Sequence, residues 1–341
     1  MFSRRIDRRE LLAGGGGLAI CTLAGQQITT NAGAADVETL AAAVPVPPKV
    51  AAAAETPSAA VVTGTRREYW LKAEPLSWDI VPAKRDQMMA EKVRGKTTFS
   101  AYAYRAYTAD FGAPIGPAEI PGPLLECSVG ETLVVNFQNT LDVPVTMHPH
   151  GIHYPESMDG AYKGRFTTPG GFVQRGKTFQ YVWEAREGTE GAWLYHDHGP
   201  MDPLPLFKGL FGPLIVRKAG VAKPDHEFFV AMHSFQPVAT GLERPFYCLN
   251  GRSYAGSTPT LRASVGGRVA FHVYALDDDF HTFHLHGHRW MDRGRLVDNV
   301  TIGPAESFTA EFVEDNPGRW FYHCHVFTHL HQGMTGWYLV G

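Results

Sequence analysis

The chain is predicted to be all-β, built from two homologous domains, each an antiparallel sandwich or barrel. Two observations carry this. The first is an internal repeat: Ser128-Val129-Gly130 returns as Ser264-Val265-Gly266, and each copy stands at the same distance before an HxHG motif, His148-Pro149-His150-Gly151 and His284-Leu285-His286-Gly287. The offset between them is 136 residues without a gap, and a second pair, Trp193 to His198 against Trp320 to His325, follows at a different offset. The second observation is periodicity. Leu133, Val135 and Phe137 alternate in the first copy, and Val269, Phe271 and Val273 alternate in the second, the pattern of strands with one buried face. Turn-forming clusters such as Asn139 to Pro144 and Asp315 to Gly318 punctuate them, and no long helical stripe competes.

Taken in chain order, residues 1–35 resemble a twin-arginine export signal. Arg4-Arg5 and Arg8-Arg9 precede a weakly apolar, Gly/Ala-rich stretch, and Ala32-Gly33-Ala34 offers a small-residue cleavage site. Cys21 would suit a lipoprotein, but Ile20 stands where such a site needs a small residue. The expectation is a protein exported to the periplasm or beyond, with no membrane span. Residues 36–64, with Pro45-Val46-Pro47-Pro48, read as an Ala/Pro-rich linker. The two domains are expected over 65–219 and 220–341, divided where Gly220 and Pro224 interrupt the apolar pattern. The full chain has a net charge of −3; without residues 1–35 it has 27 basic and 32 acidic residues, net −5. That balance excludes a nucleic-acid partner held by basic excess.

Sixteen His stand against four Cys. In an extended strand residues i and i+2 share a face, so His148/His150, His196/His198, His284/His286 and His323/His325 can each aim two imidazoles at one place. Eight imidazoles can serve three metal ions with three, three and two nitrogens. One such pair would suit zinc or solvent equally well; four at equivalent positions of a repeat fit neither surface nor core filling. Cys324, between His323 and His325, must project to the opposite side of its strand. With His281, His329 and Met334 nearby it completes two His, a thiolate and a weak Met, the ligand set of a blue-copper electron-transfer centre. At offset 136 the first domain has Val145 for His281; Asp197 replaces Cys324 and Leu210 replaces Met334, so only one such centre is expected per chain.

At these residues the sequence resembles the multicopper oxidases, and most closely their two-domain, small laccase-like group, over essentially all of the chain after the linker. The segments His281 to His288 and His323 to Met334 carry the likeness. The resemblance implies two cupredoxin-like Greek-key domains. It makes His281, Cys324, His329 and Met334 the type 1 copper ligands and His148 and His284 the type 2 ligands. The type 3 pair would be held by His150, His196, His198, His286, His323 and His325. One type 1, one type 2 and two type 3 coppers per active site would follow, with the trinuclear cluster closed between the first domain of one subunit and the second domain of a neighbour in a homotrimer. The implied reaction takes four single electrons from a reductant at the type 1 copper and passes them through Cys324 to His323 and His325. O2 is then reduced to water. Phenols and aromatic amines are the expected reductants, ahead of metal ions, since the nine Met form no Met-rich insertion.

Asp159, beside Gly160, is the candidate proton donor at the cluster, with a plain turn Asp as the competing reading. Tyr154 is either an auxiliary redox group or a packed ring. Asp277-Asp278-Asp279 either draws cationic substrates or forms a solvated acidic loop. Cys127 and Cys248 read equally as a disulfide or as two buried thiols. The competing functions are a metal-ion oxidase, a copper nitrite reductase, whose blue-copper ligands would lie in the first domain, and a non-catalytic copper-binding protein.

Overall fold

In the computed structural model residues 64–166 and 169–341 are described, with the backbone of a two-stranded ribbon, Cys21–Leu23 paired with Gln26–Ile28. The rest of the expected export signal and linker lies outside them. From Thr65 onward the chain is nearly all strand, interrupted by short helical turns such as Leu204–Phe207, Pro237–Thr240 and Phe327–His331. Two four-stranded sheets form the first domain. One runs Thr178–Glu184, Glu131–Asn139, Thr65–Asp79, Thr98–Tyr107, and the other Leu125–Ser128, Phe211–Arg217, Gly191–His196, His148–Pro149. Leu133, Val135, Phe137, Tyr181 and Trp183 from the first sheet pack with Leu125, Tyr195, Leu214 and Val216 from the second in one core. The second domain repeats this with a four-stranded sheet (Phe246–Leu249, His226–Phe235, Arg268–Ala275, Ser307–Val313) and a five-stranded one (Thr260–Ala263, Thr335–Val340, Gly318–Cys324, His281–Leu285, Asn299–Ile302).

Two expectations need correction. The sheets are mixed, each with one parallel pair: Thr65–Asp79 with Glu131–Asn139, Leu125–Ser128 with Phe211–Arg217, His226–Phe235 with Arg268–Ala275, and Thr260–Ala263 with Thr335–Val340. A parallel pair needs a crossover, and the chain makes it by passing through the opposite sheet before returning. The strand Arg268–Ala275 is also buried on both faces rather than one. Val269, Phe271 and Val273 enter the second domain's core, while Tyr274 joins a third core with Trp78, Phe99, Ala101, Leu194, Phe211, Phe235 and Phe246. This third core couples the two domains, and Trp78 Nε1 donates to Gly251 O across it at 2.6 Å.

Cys127 and Cys248 are free thiols, fully buried in different cores, so the disulfide reading is set aside. Burial pushes the Cys127 thiol up to about 12.

The repeat is reproduced bond for bond. Tyr195 Oη donates to Pro123 O at 2.6 Å and Tyr322 Oη to Pro259 O at 2.7 Å; Trp193 Nε1 donates to Thr189 O and Trp320 Nε1 to Asn316 O. The glycine of each HxHG has positive φ and lies under its Trp: a Cβ on Gly151 would sit 1.9 Å from the Trp193 ring, and one on Gly287 2.9 Å from Trp320. Cys324 N donates to Met334 O at 3.1 Å, and Asp197 N to Leu210 O at 2.9 Å. Thr282 N points at Cys324 Sγ (3.4 Å), and Thr146 N at Asp197 Oδ1 (2.6 Å). Val145, Asp197 and Leu210 are fully buried where the second domain has His281, Cys324 and Met334.

Burial raises the Asp197 carboxyl to about 7 despite its bonds from Thr146 and Gly199. A carboxyl held above its unfolded value of about 3.9 binds more protons folded than unfolded, so stability is full below that value and falls as pH rises toward 7, by up to ~1.4 kcal/mol per unit. In copper-free protein Asp197→Asn is therefore expected to gain thermal stability over the parent as pH rises from about 5 to 7. Melting curves that differ by a constant amount at every pH would show that Asp197 does not titrate in this window.

Candidate metal centres

Strands His281–Leu285 and Gly318–Cys324 are antiparallel neighbours, with His284 opposite His323 and Phe283 opposite Cys324. Alternation sends Cys324 into the core and His323 to the other face. The helical turn Phe327–His331 then brings His329 back over the sulfur. Cys324 Sγ lies 3.9 Å from His281 Nδ1 and 3.6 Å from His329 Nδ1. Met334 is fully buried in the same core, its N–H donating to His329 O at 3.0 Å. Burial alone would raise the Cys324 thiol. Its contacts to His281 and His329, with the N–H groups of Thr282 and Val326, outweigh this and draw it down to about 6. His281 presents Nδ1 inward because Nε2 is taken by Asp277 Oδ1 at 2.9 Å, and Asp277 is itself buried.

The eight histidines of the four HxH pairs form two groups, one per domain. His148, His150 and His196 bring their ring nitrogens within 4.8 Å of one another, and so do His284, His286 and His323. His198 flanks the first group, 5.4 Å from the His148 ring; His325 flanks the second, 5.5 Å from His284. Among the described residues no ring contact joins the two groups. Each opens outward: the His198 side chain is 42% exposed, and His325 is exposed.

The donor chemistry suits metal ions. Backbone carbonyls accept the Nδ1 proton of four rings: Asp159 O from His148 (2.7 Å), Asp197 O from His196 (2.7 Å), Asp298 O from His284 (2.8 Å) and Cys324 O from His323 (2.8 Å). Each ring is thereby fixed in the tautomer whose Nε2 carries the lone pair. His150 Nε2 and His196 Nε2 converge to 3.0 Å, His286 Nε2 and His323 Nε2 to 3.1 Å. Desolvation lowers His150 to about 4, His196 to about 3 and His323 to about 4, so the rings are neutral and ready to ligate at neutral pH. Imidazoles with a buried thiolate and thioether favour copper over zinc or hard cations. The residues therefore fit the group that the sequence implied.

Asp159 lies beside the first group. Its Oδ1 is 3.1 Å from His148 Nδ1, and its other oxygen pairs with Lys163 at 3.0 Å. The Tyr154 ring is 5.9 Å from His148. The acidic run is not simply a solvated loop: Asp278 is exposed, but Asp277 is buried against His281, and Asp279 accepts from Tyr247 Oη at 3.0 Å. Three further contributors have no assigned role in the sequence reading, although His288 is among the histidines expected to hydrogen-bond the ligands. Asp298 backs His284 as Asp159 backs His148, but through a carbonyl any residue could offer. His288 donates Nδ1–H to His286 O (2.7 Å) and is bonded at Nε2 to the buried Glu314 (2.9 Å). Tyr247 stacks on His329 with centroids 3.9 Å apart and planes 14° off parallel. The HTFHLHGH spacing could have flagged His288; nothing local flags the other two.

Two multicopper oxidase family models match the chain, one over residues 117–220 and the other over 229–341. Among curated proteins, a probable nitrite reductase-hydroxylamine oxidoreductase fusion protein of Kuenenia stuttgartiensis is 33% identical over 65% of this chain and 27% of its own length. Ferroxidase HEPHL1 of Mus musculus is 27% identical over 82% of the chain and 30% of its own length. The chain thus spans under a third of these relatives. A crystal structure of a multicopper oxidase superposes with a TM-score of 0.64 at 24% identity, covering 82% of this chain and 92% of that one, and shows the shared cupredoxin fold. With both domains matched and the histidine and cysteine groups in place, the chain belongs to the multicopper oxidase family.

Proposed function

We propose that the protein is a laccase-like oxidase that takes single electrons from a phenol or aromatic amine and reduces O2 to water. The observation that carries this reading is the strand ending in His323-Cys324, whose adjacent residues belong to two different ligand groups. His281, Cys324, His329 and Met334 would hold one type 1 copper. His148 and His284 would hold the type 2 copper, and His150, His196, His198, His286, His323 and His325 the type 3 pair. Bound copper would supply one-electron chemistry at the first site and, at the cluster, storage of enough electrons to reduce O2 fully.

The protein's own residues set the conditions. Core packing keeps water from Cys324, while the Cys324 backbone links its sulfur directly to His323 and His325. Asp159, held between His148 and Lys163, can pass protons toward the first group. Each domain carries half of a trinuclear set, facing outward. A cyclic homotrimer would join the first domain of one chain to the second domain of the next and leave no half unmatched.

A second reading, oxidation of ferrous ion, is favoured by the ferroxidase relatives and by Asp277 to Asp279 beside His281. Nitrite reduction has a relative's name behind it, but the first domain has Val145, Asp197 and Leu210 where a blue-copper site would be needed. O2 uptake by copper-loaded protein against a panel of phenols, aromatic amines and ferrous ion, with nitrite loss in the presence of an electron donor and no O2 as a separate arm, separates these readings. Uptake with none of the reductants would end the oxidase proposal.

Three results are expected. Cys324→Ser should lose the blue absorption and O2 uptake together while metal analysis still finds most of the cluster copper. Asp277→Asn removes a buried negative charge that favours the oxidised ion through His281. If that interaction is worth ~1.4 kcal/mol, the one-electron potential should rise by roughly 60 mV in a redox titration. Sedimentation equilibrium should give the mass of three chains, and an active, copper-replete monomer would remove the shared cluster.

A further inference from the structure

The ligands of the mononuclear group offer a reductant almost no surface: His281, Cys324 and Met334 are fully buried and His329 is 5% exposed. The group that lies over His329 is the half-buried ring of Tyr247, parallel to the imidazole at 3.9 Å. It is fixed at both ends. Tyr247 Oη donates to Asp279 Oδ2 at 3.0 Å, and Asp279 N donates to Asp277 Oδ1, the oxygen that also holds His281. At the other end Tyr247 O accepts from Ser253 Oγ at 2.6 Å, and its N–H reaches Gln332 O at 3.4 Å. One carboxylate pair therefore orients both the ligand His281 and the ring that covers the ligand His329. Phe280, next to Asp279 in the chain, is 66% exposed.

We infer that Tyr247 is the contact residue through which the electron of an aromatic reductant reaches the mononuclear site. The donor packs against the exposed part of the Tyr247 ring, and its electron crosses the stacked pair into His329. No bond forms. The donor is oxidised by one electron, the oxidised copper of the proposed type 1 site is reduced by one, and a phenolic donor releases its proton to water. Asp279 acts by holding the ring in register with the imidazole. This rests on the copper reading above.

The test uses copper-loaded full-length protein and the variants Tyr247→Phe, Tyr247→Leu and Asp279→Asn. Three quantities are read: the blue absorption band with its reduction potential, the rate at which hydroquinone bleaches that band without O2, and the rate of its return when O2 is admitted to reduced protein. Tyr247→Leu should bleach about tenfold more slowly or worse, with band, potential and return rate unchanged, because the path from Cys324 to the cluster is untouched. Tyr247→Phe, which keeps the ring face but loses the bond to Asp279, and Asp279→Asn, which weakens the same bond, should both fall between the parent and Tyr247→Leu. Unchanged bleaching in Tyr247→Leu would overturn the inference. So would a shifted band and potential that account for the loss, since Tyr247 would then merely prop His329. If the Leu variant does not fold, Tyr247→Met, of similar bulk without a ring face, is read against Tyr247→Phe in the same way. A parent protein that loads copper without any blue band would instead defeat the copper reading itself.

Discussion

Everything at this site depends on the two-residue period of an extended strand. Because neighbours on a strand face opposite ways, His323 and Cys324, the last two residues of their strand, serve two ligand groups that never share a face. The sulfur side must be dry and packed, and it is: Cys324 and Met334 lie inside the second domain's core with Phe283, Leu285 and Tyr322. The imidazole side must be open to further ligands, and there His325 is exposed and His284 half-buried. A helix would scatter these residues around its axis, and a looser strand would lose the register that sets His284 against His323.

Duplication explains why each domain carries an equivalent histidine group. The same strand-and-tyrosine scaffold stands in both domains, down to Tyr195 and Tyr322 bonding equivalent proline carbonyls. In the first domain the inward position holds Asp197, which keeps the hydrogen bond from Thr146 N that Thr282 N directs at Cys324 in the second. The backbone need is thus met by a carboxylate oxygen in place of sulfur, while Val145 and Leu210 fill the space of the lost ligands with apolar volume. The fold survives without the mononuclear group, and the outward-facing histidines persist in both copies.

What the sequence disclosed and what it hid divide along a physical line. Features set by residues near one another in the chain were legible: the repeat, the strand alternation at Leu133 to Phe137, and the four HxH pairs. Features set by the chain crossing itself were not. The parallel strand pairs are topological and leave no local mark. The core between the domains draws Trp78, Phe99 and Tyr274 from distant strands, and Tyr274 sits on the face that the alternation of Val269 to Val273 assigned to solvent. Asp298 serves His284 through its carbonyl, so its side chain carries no signal. The acidic run was visible, but the burial of Asp277 depends on a partner, His281, whose free nitrogen only the folded site defines.

The two kinds of group are prepared by opposite uses of burial. Around His150, His196 and His323, desolvation and mutual repulsion keep the rings neutral, so little proton loss is needed for them to bind a cation. Around Cys324 the same desolvation works against the ligating form, and specific bonds must overcome it: two imidazoles and two backbone N–H groups draw the thiol down to about 6. Those bonds all come from the second domain, which is why the sulfur site is completed within one domain. The imidazole groups have no comparable closure. Four of their rings are held from behind by carbonyls with Nε2 left to ligate, and the outer members His198 and His325 lie toward solvent. On the function proposed above, the other domain's group on a neighbouring chain is the surface whose donors would complete each set.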